Sequence, residues 1–265
     1  MPLVKCSSAR VPSAKQTAVS CWGVSMFRTL VLILMAVWLN LAVGVASFAQ
    51  GSGDRGQSLD SAGDHRMSGA TPGMHHSFGN AQEWSKQFDD PNRDAWQEPE
   101  KVLDALQLAP NAIVADLGAG TGYFSVRLAN RVPQGKVFAV DIEPDMLRYL
   151  EERKHHEHLH VLQPVQASPD AANLPEPVDV VLVVDTYHHI DDRTAYFAKL
   201  GQSLRPNGRL AIIDFKIDAP QGPPKEFRIS AEKVTAEIEA AGYQLVATHP
   251  FLPRQYFLVF QRKAP

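Results

Sequence analysis

Residues 112–122 read AIVADLGAGTG, and their reading decides the fold. Five residues of strand character end in Asp116, and Gly118, Gly120 and Gly122 follow at alternate positions. Glycines so spaced permit a sharp turn with positive φ and let a ligand approach the backbone without a β-carbon in the way. A helical pattern then runs to about Arg131. The next apolar run, KVFAVD, ends in Asp141, about 20 residues beyond the glycines, where a carboxylate in a βαβ unit accepts both hydroxyls of an adenosine ribose. Turn and second acid together point to an adenosine-containing ligand. Either aspartate also suits an Asx-turn or a helix cap.

Outward from this unit the alternation continues. In EPDMLRYLEERK, Pro144 suits a first helical turn, and Met146, Leu150 and Arg153 share a face. LHVLQPV is a third strand. VDVVLVVD, a continuous Val/Leu run of the kind buried on both faces, is a fourth. A helix carrying Phe197, Leu200 and Leu204 is expected to stop at a turn over Arg205-Pro206-Asn207-Gly208, followed by the strand RLAIIDF. Ser230 caps a helix bearing Val234, Ile238 and Ala241, ended by Gly242. The last stretch, YQLVATHPFLPRQYFLVFQRK, holds two aromatic and β-branched runs with no room for a helix between them, so they pair antiparallel. The expected class is α/β: a doubly wound, mostly parallel seven-stranded sheet closed by a C-terminal hairpin. Ligands in such sheets bind beyond the carboxyl ends of the strands.

Composition limits the alternatives. The chain has 265 residues, 45% hydrophobic and 21% charged, which excludes disorder throughout. Residues 1–49 hold four basic side chains (Lys5, Arg10, Lys15, Arg28) and no acid, so the remainder is more negative than the overall −3. Such a body is poorly suited to nucleic acid, whose binding depends on neutralising phosphates. The only cysteines, Cys6 and Cys21, precede the body, which therefore has no thiolate nucleophile and no cysteine-ligated metal.

Between Arg28 and Asp54 there is no charge, and residues 29–49 are almost wholly apolar. Basic residues before this run and small residues at Ser47 and Ala49 read as an export signal, cleaved or kept as a membrane anchor. The positive-inside rule places the body outside the cytoplasm in both cases, periplasmic or extracellular. Membrane contact is then confined to the N-terminal segment. Residues 50–80, rich in Gly and Ser, read as a flexible linker, and residues 81–265 as one domain. His65, His75 and His76, with Met67 and Met74, suit a soft metal or are incidental to a solvated linker. The segment with Asp89, Asp90, Arg93, Asp94, Trp96 and Gln97 is either a lid over the ligand or a capped surface helix. His155, His156, His158 and His160 read as a solvated face, and no metal site is expected.

A pyrophosphate cofactor uses a helix N-terminus to hold negative charge. Asp116 just ahead of the glycines would repel diphosphate and suits a cationic or amino-acid moiety. That favours S-adenosyl-L-methionine over NAD, as does the closing hairpin. On VADLGAGTG the chain resembles the class I S-adenosylmethionine-dependent methyltransferases, from about Lys101 to Phe260. HHSF, FDDPNRDAWQEP, AVDIEPDML, DTYHHI and FLPRQYFLVF together resemble an exported subgroup of methyltransferase-like proteins. The resemblance implies a Rossmann-like sheet and transfer of a methyl group to a small-molecule or lipid-like acceptor. It implies that Asp116 supports the methionine end, with Gly118 and Gly120 beneath it, that Asp141 binds the ribose, and that Ile142 covers the adenine. It also implies Asp170 at the adenine amino group and Asp185 over the transfer site. His188 or His189 would serve as a general base, unless one packs under the cofactor and the other caps the next helix. The alternative function is a non-catalytic exported module that retains the ligand.

Overall fold

A computed structural model describes residues 78–263. The expected export segment, most of the linker and its histidines lie outside the described residues. Among the described residues no helix is long and apolar enough to cross a membrane.

The domain opens with helices α1 (Ala81–Phe88), α2 (Asp94–Gln97) and α3 (Pro99–Leu106). Strands and helices then alternate: β1 (Ile113–Leu117), α4 (Tyr123–Arg131), β2 (Lys136–Asp141), α5 (Pro144–His156), β3 (Leu162–Gln166), β4 (Val178–Val184), α6 (Arg193–Leu200) and β5 (Leu204–Phe215). Helix α7 (Ala231–Ala240) leads into β6 (Tyr243–Thr248) and β7 (Gln255–Arg262). The sheet order is β3-β2-β1-β4-β5-β7-β6. The first five strands are parallel, and β7 lies antiparallel between β5 and β6. This is the α/β, Rossmann-like sheet with an antiparallel end that the sequence implies.

The period-2 pleat sorts each strand's side chains between two cores. Val114, Ala139, Leu182, Ile213 and Phe257 face α3, α4 and α5. Ala115, Phe138, Val183, Ile212 and Leu258 face α6 and α7. Burial on both faces explains the unbroken Val/Leu run of β4.

One expectation is corrected. Leu204 begins β5 rather than ending α6, because it pairs with Val178 in the sheet. Arg205-Pro206-Asn207-Gly208 bulges out of the ladder, with Asn207 at φ 65°, and pairing resumes at Arg209 opposite Val180. The turn chemistry is present, inside a strand.

Candidate functional site

The register of β1 against β2 sets Asp116 beside Ala139 and Leu117 beside Val140, so Asp116 and Asp141 emerge next to each other. Both line a single cavity of 1120 Å³ at the carboxyl ends of the parallel strands. That volume exceeds the usual range for one drug-sized ligand and has room for two reactants. The β1–α4 turn enters it closely. Gly118 has φ 76°, and a β-carbon there would fall 2.1 Å from Thr186 Oγ1. Gly118 and Gly120 line the cavity; Gly122 does not, and instead supplies the left-handed residue ahead of α4.

Asp116 is buried and accepts a hydrogen bond from Ser125 Oγ at 2.6 Å. Burial pushes its pKa up to about 6, against the pull of Ser125 and the more distant Arg93. A buried carboxylate with one hydroxyl donor favours a cationic neighbour. Asp141 accepts from Gly120 N–H at 2.8 Å through Oδ2 and from Glu143 N–H at 3.0 Å through Oδ1. Asp141 thus closes an Asx-turn onto Glu143 and braces the glycine turn, and a carboxylate with about four lone-pair sites still has capacity for hydroxyl donors. Burial raises its pKa as well, opposed by those N–H groups. Ile142 is 47% exposed on the cavity wall.

Asp170 is not brought to the site. Its carboxylate lies in solvent, paired with Lys199 Nζ at 3.0 Å and accepting from Ser168 Oγ, while Ser168 and Pro169 line the cavity in its place. A partner on α6 draws it away from the wall.

The other half of the site lies over β4, β5 and β7. Asp185 follows β4 with φ 54°, a strained conformation for a residue other than glycine. Burial pushes its pKa up to about 7, with Arg93 acting in the opposite sense. His188 and His189 sit on the 3-10 turn after it, ring centroids 4.2 Å apart, and both line the cavity. His188 Nδ1 lies 3.0 and 2.9 Å from the two carboxylate oxygens of Asp214 at the end of β5. Burial opposes charge on His188, but Asp214, with Asp185 acting in the same sense, raises the histidine pKa. The pair is a histidine oriented by a buried acid, the arrangement of a general base.

The N-terminal segment lines the same cavity through Phe78, Trp84, Phe88, Arg93 and Trp96, and Asn80 caps its first helix. Phe78 and Asn80, assigned to the linker by composition, belong to it. Phe78 N–H donates to Glu143 Oε1 at 3.2 Å and Ala81 N–H to Asp145 Oδ2 at 2.7 Å, so the acids of EPD fasten its start. Arg153 ties its middle, reaching Asp89 at 3.2 Å and the Thr121 carbonyl at 2.9 Å. Phe78 packs edge-on to Trp84 at 5.0 Å and to His189 at 5.5 Å, Trp84 stacks on Phe88 at 5.3 Å, and Phe88 rests on Gly120. Further along, Arg93 Nε donates to Gln97 Oε1 (3.2 Å), Gln97 Nε2 to Gln255 Oε1 (2.5 Å), Gln255 Nε2 to Asp185 Oδ1, and Arg93 Nη2 to Asp185 Oδ2 (3.4 Å). This closed ring joins the N-terminal segment to the ends of β4 and β7. Asp214 and Gln255 escape the sequence reading; the signal for Asp214 was an acid ending a strand, as Asp116, Asp141 and Asp185 do.

Residues 115–210 match the methyltransferase domain family. The chain is 34% identical over 115 residues to an uncharacterized methyltransferase of Mycobacterium tuberculosis, covering 43% of this chain and 56% of that protein. It is 30% identical over 131 residues to a malonyl-acyl-carrier-protein O-methyltransferase of Acetivibrio thermocellus, covering 47% and 45%. The chain thus spans about half the length of these relatives. Among solved structures, a SAM-dependent methyltransferase from Aquifex aeolicus aligns with a TM-score of 0.63 at 27% identity, over 68% of this chain and 97% of that one.

Proposed function

We propose that this chain is an S-adenosylmethionine-dependent methyltransferase acting on a small-molecule or lipid-like acceptor. The observation that carries this reading is the pair Asp116 and Asp141, side by side on one cavity wall with the glycine turn between them. When bound, S-adenosylmethionine supplies a methyl group on a sulfonium, an electrophile that needs no activation by the protein. Asp116 would hold the cationic methionine end, over the open backbone of Gly118 and Gly120. Asp141 would take the ribose hydroxyls on its remaining lone pairs, and Ile142 would cover the adenine. Asp214 holds His188 through Nδ1, which leaves Nε2 to take the proton from the acceptor nucleophile. Phe78, Trp84 and Phe88 keep water from the reacting groups, and Asp185, fixed by Arg93 and Gln255, orients the acceptor.

Calorimetric titration with S-adenosylmethionine and S-adenosylhomocysteine tests the reading; a folded chain that binds neither removes it. Asp141→Ala leaves the N–H groups of Gly120 and Glu143 without their acceptor, and affinity is expected to fall by about 1–3 kcal/mol. Undiminished affinity would make the ribose assignment wrong. The proposal extends to location: the uncharged run 29–49 behind four basic residues supports export of the domain. Recovery of the full-length product as a soluble cytoplasmic protein on cell fractionation would defeat that part.

A further inference from the structure

The cavity wall over β5 and β7 is built from Trp96, Phe215, Arg254 and the loop 221–224, none of which the cofactor reading uses. We propose that this wall is the acceptor subsite and that it takes a monocarboxylate carried on an aromatic or other apolar body, with Arg254 as the anion-binding residue. The inference rests on the methyltransferase reading and names its substrate class.

Charge placement is the first support. Two guanidinium groups line the cavity, those of Arg93 and Arg254. Arg93 is committed to Asp185, Gln97 and the Phe88 carbonyl. Arg254 lies over the Trp96 ring, 5.0 Å from its centroid, with no acidic partner among the described residues. A half-buried guanidinium stacked on an indole keeps its fork of N–H donors for an oxyanion.

The second support is that the wall is rigid before anything binds. Phe215 packs on Trp96 with centroids 5.7 Å apart. Gly222 approaches Phe215 so closely that a β-carbon would lie 2.5 Å from the ring. Arg228 donates to the carbonyls of Ile217, Ala219 and Pro223, which pins the loop. Lys216 N–H donates to the Arg254 carbonyl at 3.0 Å, and Phe215 is in register with Gln255. Backbone and platform around Arg254 are therefore fixed, which lowers the ordering cost of binding.

The ligand class follows from the chemistry. A planar guanidinium fork matches a carboxylate through two parallel hydrogen bonds. Arg254 supplies one positive charge to this wall, which matches one carboxylate and leaves the second charge of a phosphate dianion without a partner. Phe215, Pro223 and Pro224 offer apolar surface to the rest of the molecule. Phe215, Arg254 and His188 line the same cavity, so a molecule held by Arg254 and lying across Phe215 occupies the space that His188 borders.

The test uses the full chain saturated with S-adenosylhomocysteine and reads intrinsic tryptophan fluorescence, with 3-phenylpropionate, 3-phenylpropanol and phenyl phosphate as probes. The acid is expected to bind at least about tenfold more tightly than the alcohol, as suits a charge-assisted pair. Arg254→Gln should abolish that preference by weakening the acid alone, and Arg254→Lys should restore part of it. Calorimetry with S-adenosylhomocysteine checks that each variant is folded. Equal binding of acid and alcohol, no binding of the acid at millimolar concentration, or equal losses for both probes in Arg254→Gln each overturn the proposal. Tightest binding by phenyl phosphate overturns the monocarboxylate assignment. A wild-type chain that fails to bind S-adenosylhomocysteine overturns the methyltransferase reading as well, whereas normal binding without acid preference overturns this inference alone.

Discussion

Asp116→Asn probes the buried carboxylate at the end of β1 through its proton. Asp116 is 3% exposed, and burial lifts its pKa from 3.8 to about 6. Because the folded-state value is raised, its favourable contribution is fully present below pH 3.8 and is lost as pH rises through 6. At about 1.4 kcal/mol per decade, the ligand-free fold carries a cost of about 3 kcal/mol at pH 8 for holding the charge. Asparagine keeps the shape and an oxygen acceptor for Ser125 while removing that charge. Unfolding by urea at pH 8 should therefore show the variant more stable by about 1–3 kcal/mol, with the gain vanishing near the unfolded carboxyl value. A cationic ligand acts in the opposite sense, favouring ionised Asp116 and expelling its proton. At pH 6 about half of this group is protonated, so S-adenosylmethionine should release about 0.5 proton through it, falling to about 0.1 at pH 7. Calorimetry in two buffers of different ionisation enthalpy counts the protons. Subtracting the Asp116→Asn result removes what Asp185 and His188 contribute as coupled groups. Equal proton counts for the two proteins at pH 6, or undiminished affinity in the variant, would refute the assignment of Asp116 to the cationic end of the ligand.

Two further substitutions examine the rest of the site. Gly118→Ala places a β-carbon 2.1 Å from Thr186 Oγ1 on a backbone at φ 76°; left-handed strain of about 1–2 kcal/mol and overpacking of about 1–3 kcal/mol should lower the urea midpoint, and an unchanged midpoint would mean the turn is built differently. Asp214→Asn removes the hydrogen-bonded acid that opposes burial at His188, so the histidine pKa, raised in the wild type, should fall. NMR titration of the ring, assigned with His188→Gln, reads this directly, and a value unchanged from the wild type would show that Asp214 does not control the histidine. In the wild type, the stability contributed by the His188–Asp214 pair is present below pH 6.5 and is lost as pH rises through the raised folded value.

The half of the site over β1 and β2 is legible in the sequence because one βαβ unit contains it. Strand, glycine turn, helix and second strand follow without interruption, and parallel pairing of neighbouring strands sets their ends side by side. The half over β4, β5 and β7 is less so. Asp185, His188 and His189 stand out as a polar cluster after an apolar strand, yet their partners are remote. Arg93 meets Asp185 across 92 residues, Gln255 meets Asp185 across 70, and Gln97 meets Gln255 across 158. Asp170 shows the converse error: a loop acid placed by motif position alone was drawn to Lys199 by a contact that no spacing rule anticipates.

Periodicity, turn chemistry and the two strand-end acids thus determined the sheet, its antiparallel closure and the placing of Asp116 and Asp141 on one cavity wall. Sheet order and the fold-back of residues 78–97 decided which polar groups meet Asp185, which acid orients His188, and which arginine stacks on Trp96. The physical reason is that apolar burial leaves a regular imprint along the chain. A hydrogen bond between distant strands is specified only once β7 has inserted beside β5.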